Sequence, residues 1–269
     1  MSVVNETIDL SAERYNRHET HDDVEFILSV IGKQPKRILE VGCGFGRILL
    51  ALADARHEVT GIDVEDGDLD NLSVTAKSLG INNIHWRKAD AVHDDWGTGF
   101  DVVVLAGNIL FNIENIKSAL AYKKAQESFI QKAAAALVPG GHVYIGYSPF
   151  APNCRALTRP GQSCTDDGSI FGTWEYKNDD GSVEVHSITP GSFDEETNIL
   201  RFKKFTERRT QDGKVIKEEI DRMKHYATLE HIHQWLTDAG FVIELQCEDF
   251  DKAPIDDDSR KVIIYARKK

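Results

Sequence analysis

The residues whose types and spacing could do chemistry begin at Arg37-Ile38-Leu39-Glu40-Val41-Gly42-Cys43-Gly44-Phe45-Gly46. An apolar, β-leaning run carries the carboxylate of Glu40. Gly42, Gly44 and Gly46 follow at alternate positions, and a helical pattern starts at Arg47. A strand, a tight turn and a helix N-terminus in that order are where an α/β sheet holds a nucleotide-like ligand. Glycine admits positive φ and lets the backbone approach a ligand with no Cβ between them. Asp63 closes a second β-like run, His57–Asp63. A short acceptor-only carboxylate there can take two vicinal hydroxyl donors; the bland alternative is an Asp that caps the next helix. Ala89-Asp90-Ala91 follows a third run, Ile84–Lys88, and Asn108 follows a fourth, Phe100–Leu105.

The dinucleotide fingerprint Gly-x-Gly-x-x-Gly wants its third glycine one position later, where this chain has Arg47. That disfavours an NAD-linked oxidoreductase. The Lys-Ser/Thr pair of a phosphate loop is also absent. The Glu40-x-Gly42-x-Gly44-x-Gly46 pattern resembles motif I of the class I S-adenosylmethionine (SAM) methyltransferases. The resemblance implies that the turn, Cys43 included, passes under the methionine part of SAM and that Glu40 helps to orient it. It also implies that Asp63 binds the ribose hydroxyls, that Asp90 accepts from the adenine amino group, and that the Ala91 N–H reaches the ring. Tyr15 or Arg17 of an N-terminal arm would then reach the SAM carboxylate.

These residues need a scaffold. Val24, Ile27, Leu28 and Ile31 recur at helical spacing over 22–32. A helix is expected from Arg47, another over 69–79 stopped by Gly80, and a long one over 116–138 ending at Pro139-Gly140-Gly141. Strand five is expected at His142–Tyr147, strand six at Phe241–Cys247 after a helix capped by Thr228, and strand seven at Arg260–Ala266. Phe100–Leu105 reads as a buried parallel strand, and Asn108 beyond its end lies beside the switch-point crevice. From 149 to 226 the βα rhythm breaks. Two hairpins are expected there, turning at Asp180-Gly181 and Asp212-Gly213. The expected fold is α/β: a doubly wound, seven-stranded Rossmann-like methyltransferase sheet with an antiparallel β insertion roofing the active site. Residues 1–36 would form a helical arm, 37–148 and 227–269 the SAM-binding core, and 149–226 the substrate cap.

Gly107-Asn108, the Pro-Gly-Gly strand, the insertion and the Tyr226-Ala227-Thr228-Leu229 helix start look like small-molecule N-methyltransferases of the glycine N-methyltransferase group. The chain departs from that enzyme at Ser148, where a carboxylate-holding arginine is aligned, and at Asn112; Arg155 is a nearby substitute clamp. The reading is methyl transfer to a nitrogen, or oxygen, of a small molecule, with Tyr147, Tyr226 and Asn108 at the acceptor side. Two alternatives remain: a SAM-binding, non-catalytic regulatory or scaffold subunit, and a protein or peptide methyltransferase.

Composition narrows the partners. A formal net charge of −12 over 269 residues argues against nucleic acid as a substrate, since phosphates call for a basic face, though it leaves room for a local basic patch. The four cysteines lack Cys-x-x-Cys spacing and the ten histidines show no His-Glu-x-x-His, so no metal is expected. No apolar run approaches the roughly 20 residues of a spanning helix and no signal-peptide core opens the chain. A cytoplasmic protein is expected, acting on a small molecule without nucleic acid or membrane. Oligomeric state is left open.

Overall fold

The computed structural model describes residues 22–113, 116, 118–147, 162–164, 170–177, 181–188, 192–194, 196–256, 259 and 261–269. Tyr15, Arg17, Ser148 and Arg155 lie outside the described residues.

The core sheet contains β1 (Arg37–Val41), β2 (Glu58–Asp63), β3 (Ile84–Lys88), β4 (Phe100–Leu105), β5 (Leu137–Tyr147), β12 (Phe241–Cys247) and β13 (Val262–Lys268). Its order is β12-β13-β5-β4-β1-β2-β3. β1 to β5 pair in parallel and β13 runs antiparallel to both its neighbours. The order reverses between β1 and β4, which opens the crevice beyond their carboxyl ends. Both faces of the sheet are covered. α1 (Asp22–Ile31), α2 (Arg47–Asp54) and α3 (Asp66–Leu79) pack on one face with Val102 and Val104. α4 (Ala119–Ala136) and α5 (Leu229–Asp238) pack on the other with Val103 and Leu105. Period-two alternation of an all-apolar strand therefore feeds two cores.

A second, antiparallel sheet has the order β11-β10-β8-β7-β6. Its strands are β6 (Gln162–Cys164), β7 (Ile170–Lys177), β8 (Val183–Ile188), β10 (Ile199–Arg209) and β11 (Val215–His225); β9 (Ser192–Asp194) pairs with β10. The hairpin strands stand where turn chemistry put them. The three-residue strands β6 and β9 are new, being too short to leave a hydrophobic period.

Element boundaries moved in four places. α3 begins at Asp66, since Asp66 and Asp68 suit the positive end of a helix. α4 is shorter than its apolar pattern, because Ser118 caps it by accepting from Ala121 N at 3.1 Å. Leu137 is already extended (ψ 144°) and opposes Phe100, so β5 takes in Pro139-Gly140-Gly141. Strand seven runs over 262–268, two residues later than expected. Among the described residues no helix is long and apolar enough to cross a membrane.

Candidate active site

The carboxyl ends of β1 to β4 meet at one sheet edge. Gly42 N and Cys43 N both donate to Ile62 O, at 2.8 and 3.2 Å. Gly44 N donates to Asp63 Oδ2 at 2.7 Å, and Asp63 Oδ1 accepts from Glu65 N at 3.0 Å. Asp63 therefore binds the turn and the start of α3 together. A carboxylate offers about four acceptor positions, so two stay open. Ala89 N donates to Asp63 O at 2.8 Å, which brings Asp90 and Ala91 beside the same edge. Asp90 Oδ1 accepts from Val92 N (2.8 Å) and His93 N (3.3 Å), which fixes the turn that follows β3.

The glycine spacing has a steric meaning. Gly46 has φ 89°, and a Cβ there would lie 2.3 Å from Leu72 Cδ1. Gly42 has φ 74°, and its Cβ would lie 2.5 Å from Ile109 Cδ1, so the loop after β4 closes directly over the turn. At Gly44 (φ 52°) the nearest atom would be Asp68 Oδ2 at 3.7 Å. That peptide has open space before it. Cys43 points the other way. Its thiol is buried against Gly61, and burial raises its pKa, with Glu40 and Asp63 adding to the effect. Only the Cys43 backbone lies in the turn.

Glu40 is the electrostatic oddity. It is buried, and Oε2 has no hydrogen-bond partner among the described residues. Burial pushes its pKa up to about 8, against the pull of Arg47 and with the push of Asp63 and Asp23. Arg47, the first residue of α2, is spent on a bidentate pair with Asp23 of α1 at 2.7 and 2.5 Å. With one oxygen idle just before the glycine turn, Glu40 rests mainly as the neutral acid at pH 7, and a cationic group placed against that oxygen would favour its ionised form.

The acceptor-side residues gather at the ends of β4, β5 and β11. Asn108 lies in the left-handed region (φ 58°), directly after Gly107. Phe111 packs on Tyr226, with ring centroids 4.6 Å apart, and Leu200 and Phe202 of β10 complete an apolar cluster. Tyr147 is 1% exposed, and its hydroxyl has no partner among the described residues. Burial raises the phenols of Tyr147 and Tyr226, and Tyr147 adds to the shift at Tyr226. Both stay protonated at any working pH, which suits an O–H donor or a wall and not a base. Of the roof histidines, His186 pairs with Glu184 (3.0 Å) and His225 is buried.

Several residues escaped the sequence reading. Val64, next to Asp63, is an apolar side chain 47% exposed at the crevice. Lys132 of α4 donates to the carbonyls of Ala91, Val92 and Asp94 at 2.9, 2.6 and 2.9 Å, pinning the turn that holds Asp90. Val64 carried a signal, an apolar residue directly after a strand-end Asp. Lys132 carried none, because its partners lie about forty residues away.

Comparison with known proteins finds a likeness over part of the chain. Residues 38–141 match the family described as "Methyltransferase domain". That match covers less than half of the chain, and over those residues the chain is similar to S-adenosylmethionine-dependent methyltransferases. The chain is 30% identical over 121 residues to the ubiquinone biosynthesis O-methyltransferase of Shewanella pealeana, covering 45% of this chain and 46% of that one. The chain thus spans about half the length of the curated relatives it matches. Solved structures extend the likeness of fold beyond the methyltransferase domain. An S-adenosylmethionine-dependent methyltransferase of Clostridium acetobutylicum matches with TM-score 0.69 at 12% identity, over 96% of this chain and 97% of that one. A sugar N-methyltransferase of Streptoalloteichus matches with TM-score 0.64 at 15% identity, over 94% and 90%. The methyltransferase domain ends at 141, inside β5; the inserted sheet lies wholly outside it.

Proposed function

We propose that the whole chain is an enzyme that transfers the methyl group of S-adenosylmethionine to a nitrogen of a small molecule. The carrying observations are the idle, buried Oε2 of Glu40 and the open space at Gly44, four residues further along the same strand and turn. That pair fits a ligand with an ammonium group at one end, which SAM has and NAD lacks at this position.

In this reading Glu40 faces the ammonium, and the 42–46 turn, the Cys43 backbone included, lies under the methionine part. The two open acceptor positions of Asp63 take the ribose hydroxyls, Val64 covers a ring face, and Asp90 with Ala91 N–H meets the adenine edge. When bound, SAM supplies a sulfonium-activated methyl. The protein's task is then to aim an acceptor lone pair at that carbon, at about 3–3.5 Å, and to keep water out. Phe111, Leu200, Phe202 and Tyr226 provide apolar walls. Asn108 and the Tyr147 hydroxyl provide the polar atoms that orient the acceptor. No phenol here serves as base, which favours an amine that arrives unprotonated over a phenol that must be deprotonated during attack.

The inserted sheet, 149–226, acts as the substrate cap, as in the glycine N-methyltransferase group, and the enzyme works in the cytoplasm. Oxygen as acceptor is the second reading. It is favoured by the O-methyltransferase relative, whose likeness covers 45% of this chain. The test is transfer of isotope-labelled methyl from SAM to a panel of amines and phenols. Labelled N-methyl product is the expected result. Labelled phenol ether alone would select the second reading, and no labelled product from any class would sink both.

A further inference from the structure

Two buried polar side chains with no part in the reading above lie at the joint between the core and the inserted sheet. Gln126 of α4 is 0% exposed. Its amide N–H groups donate to Leu110 O at 2.8 Å and to His225 O at 3.0 Å. Its Oε1 lies 2.6 Å from His225 Nδ1, so that nitrogen carries the proton and donates. One turn earlier on α4, the Tyr122 hydroxyl lies 2.5 Å from Phe111 O and 2.9 Å from Ile113 O. Lys224 Nζ, from β11, donates to Ile113 O at 3.1 Å.

Three carbonyls of the loop after β4 are therefore held by side chains of α4 and β11. That loop carries Asn108 and Phe111. Its own backbone bonds are those of one short turn: Ile109 N donates to Ala106 O at 3.2 Å, Phe111 N to Asn108 O at 2.9 Å, and Asn112 N to Asn108 O at 3.2 Å and to Ile109 O at 3.1 Å. Asn108 lies in the left-handed region, which asparagine tolerates.

We propose that Gln126 and His225 are positioning residues for methyl transfer, holding the 107–113 loop in its acceptor-facing conformation only while β11 of the inserted sheet is docked. The inference rests on the methyl-transfer reading for its catalytic half. Apolar replacements of similar size would pack as well in a plain core, so the polar identity of the pair is what needs a reason. The groups facing His225 are Gln126 on α4, His231 on α5 and Lys123, which bonds His231 at 3.1 Å. Burial, with His231 and the Lys123 ammonium adding to it, lowers the pKa of His225 to about 4, so the imidazole is neutral and keeps its single Nδ1–H for Gln126.

The test compares the wild-type chain with Gln126→Leu, His225→Leu and His225→Asn, whose amide N–H can replace Nδ1–H. Amide hydrogen exchange across 107–113, affinity for S-adenosylhomocysteine, and kcat and KM for SAM are measured on each. Both Leu variants should exchange the 107–113 amides at least about tenfold faster, since an unpaired buried polar group costs on the order of 1.4 kcal/mol or more. They should bind S-adenosylhomocysteine within about threefold of wild type, less than one hydrogen bond's worth, and lose kcat with KM for SAM unchanged. His225→Asn should restore both exchange and kcat. Unchanged exchange in both Leu variants, or no recovery in His225→Asn, overturns the proposal. If Gln126→Leu does not fold, Gln126→Met takes its place. If wild type methylates no acceptor in the panel, the methyl-transfer reading fails, and the exchange data still decide whether the pair holds the loop.

Discussion

At the cofactor end of the crevice, backbone geometry does most of the positioning. Gly42, Gly44 and Gly46 turn the chain, Asp63 ties the turn to β2, and the turn's own hydrogen-bond partners lie within two adjoining βα units. At the acceptor end, side chains from α4, β10 and β11 converge on the loop after β4, across separations of 99 and 111 residues. The first end is a local device that works in any doubly wound sheet. The second exists only after the insertion has folded onto the core. Their sensitivities to substitution should differ accordingly.

The largest effect is expected at Gly46→Ala. A left-handed non-glycine residue and a Cβ driven into buried Leu72 together cost about 2–4 kcal/mol. Urea unfolding should show that loss. Gly44→Ala, with its open space, should lose no more than the backbone strain, about 1–2 kcal/mol, while weakening S-adenosylhomocysteine binding. Equal losses of stability at the two glycines would erase the distinction between a packing glycine and a ligand-facing one.

Asp63→Ala should weaken S-adenosylhomocysteine by roughly 30- to 100-fold, about 2–3 kcal/mol, because hydrogen bonds to a charged group are lost. Isothermal calorimetry reads it directly. An affinity unchanged by Asp63→Ala would leave Asp63 as a purely structural tie between Gly44 and Glu65.

A pH effect sharpens the acceptor side. His225 has a folded pKa of about 4 against an ordinary 6.5. Between those values the unfolded chain takes up a proton that the folded chain refuses, so this residue's contribution to stability falls as pH drops from 6.5 towards 4. Glu40 runs the opposite way. Its raised pKa, about 8 against 4.5, gives a contribution present below pH 4.5 and lost as pH rises to 8. The two slopes oppose each other in wild type. The stability difference between wild type and His225→Asn cancels Glu40 and should shift against wild type on acidification from pH 7 to pH 5. A difference independent of pH would mean that His225 is not held neutral.

Lys132→Met should have the smallest effect. Three carbonyls lose an ammonium donor in a half-buried place, which costs about 1 kcal/mol and loosens the turn at Asp90. A slight weakening of S-adenosylhomocysteine with no change at 107–113 is expected.

The same contrast explains what could be read from the residues. The glycine turn, Asp63, the strand order and the Thr228 cap are written at short, fixed spacing, and the structure has them in place. Cys43 was assigned to the turn on position alone, and only packing against Gly61 reveals that its thiol points into the core. Gln126 falls at helical spacing between Tyr122 and Phe129 on the buried face of α4, but its polar side chain in Lys123-Lys124-Ala125-Gln126-Glu127 does not announce burial. His225 ends a strand that the Asp212-Gly213 turn foretells, and its partner across 99 residues leaves no local signal.

The most direct measurement is calorimetric titration of the purified chain with SAM, S-adenosylhomocysteine and NAD. Saturable binding of the first two and none of NAD is the predicted result, since the idle oxygen of Glu40 and the open peptide at Gly44 suit an ammonium-bearing ligand. Binding of NAD instead, or of none of the three, would contradict the reading of the glycine turn on which the rest depends.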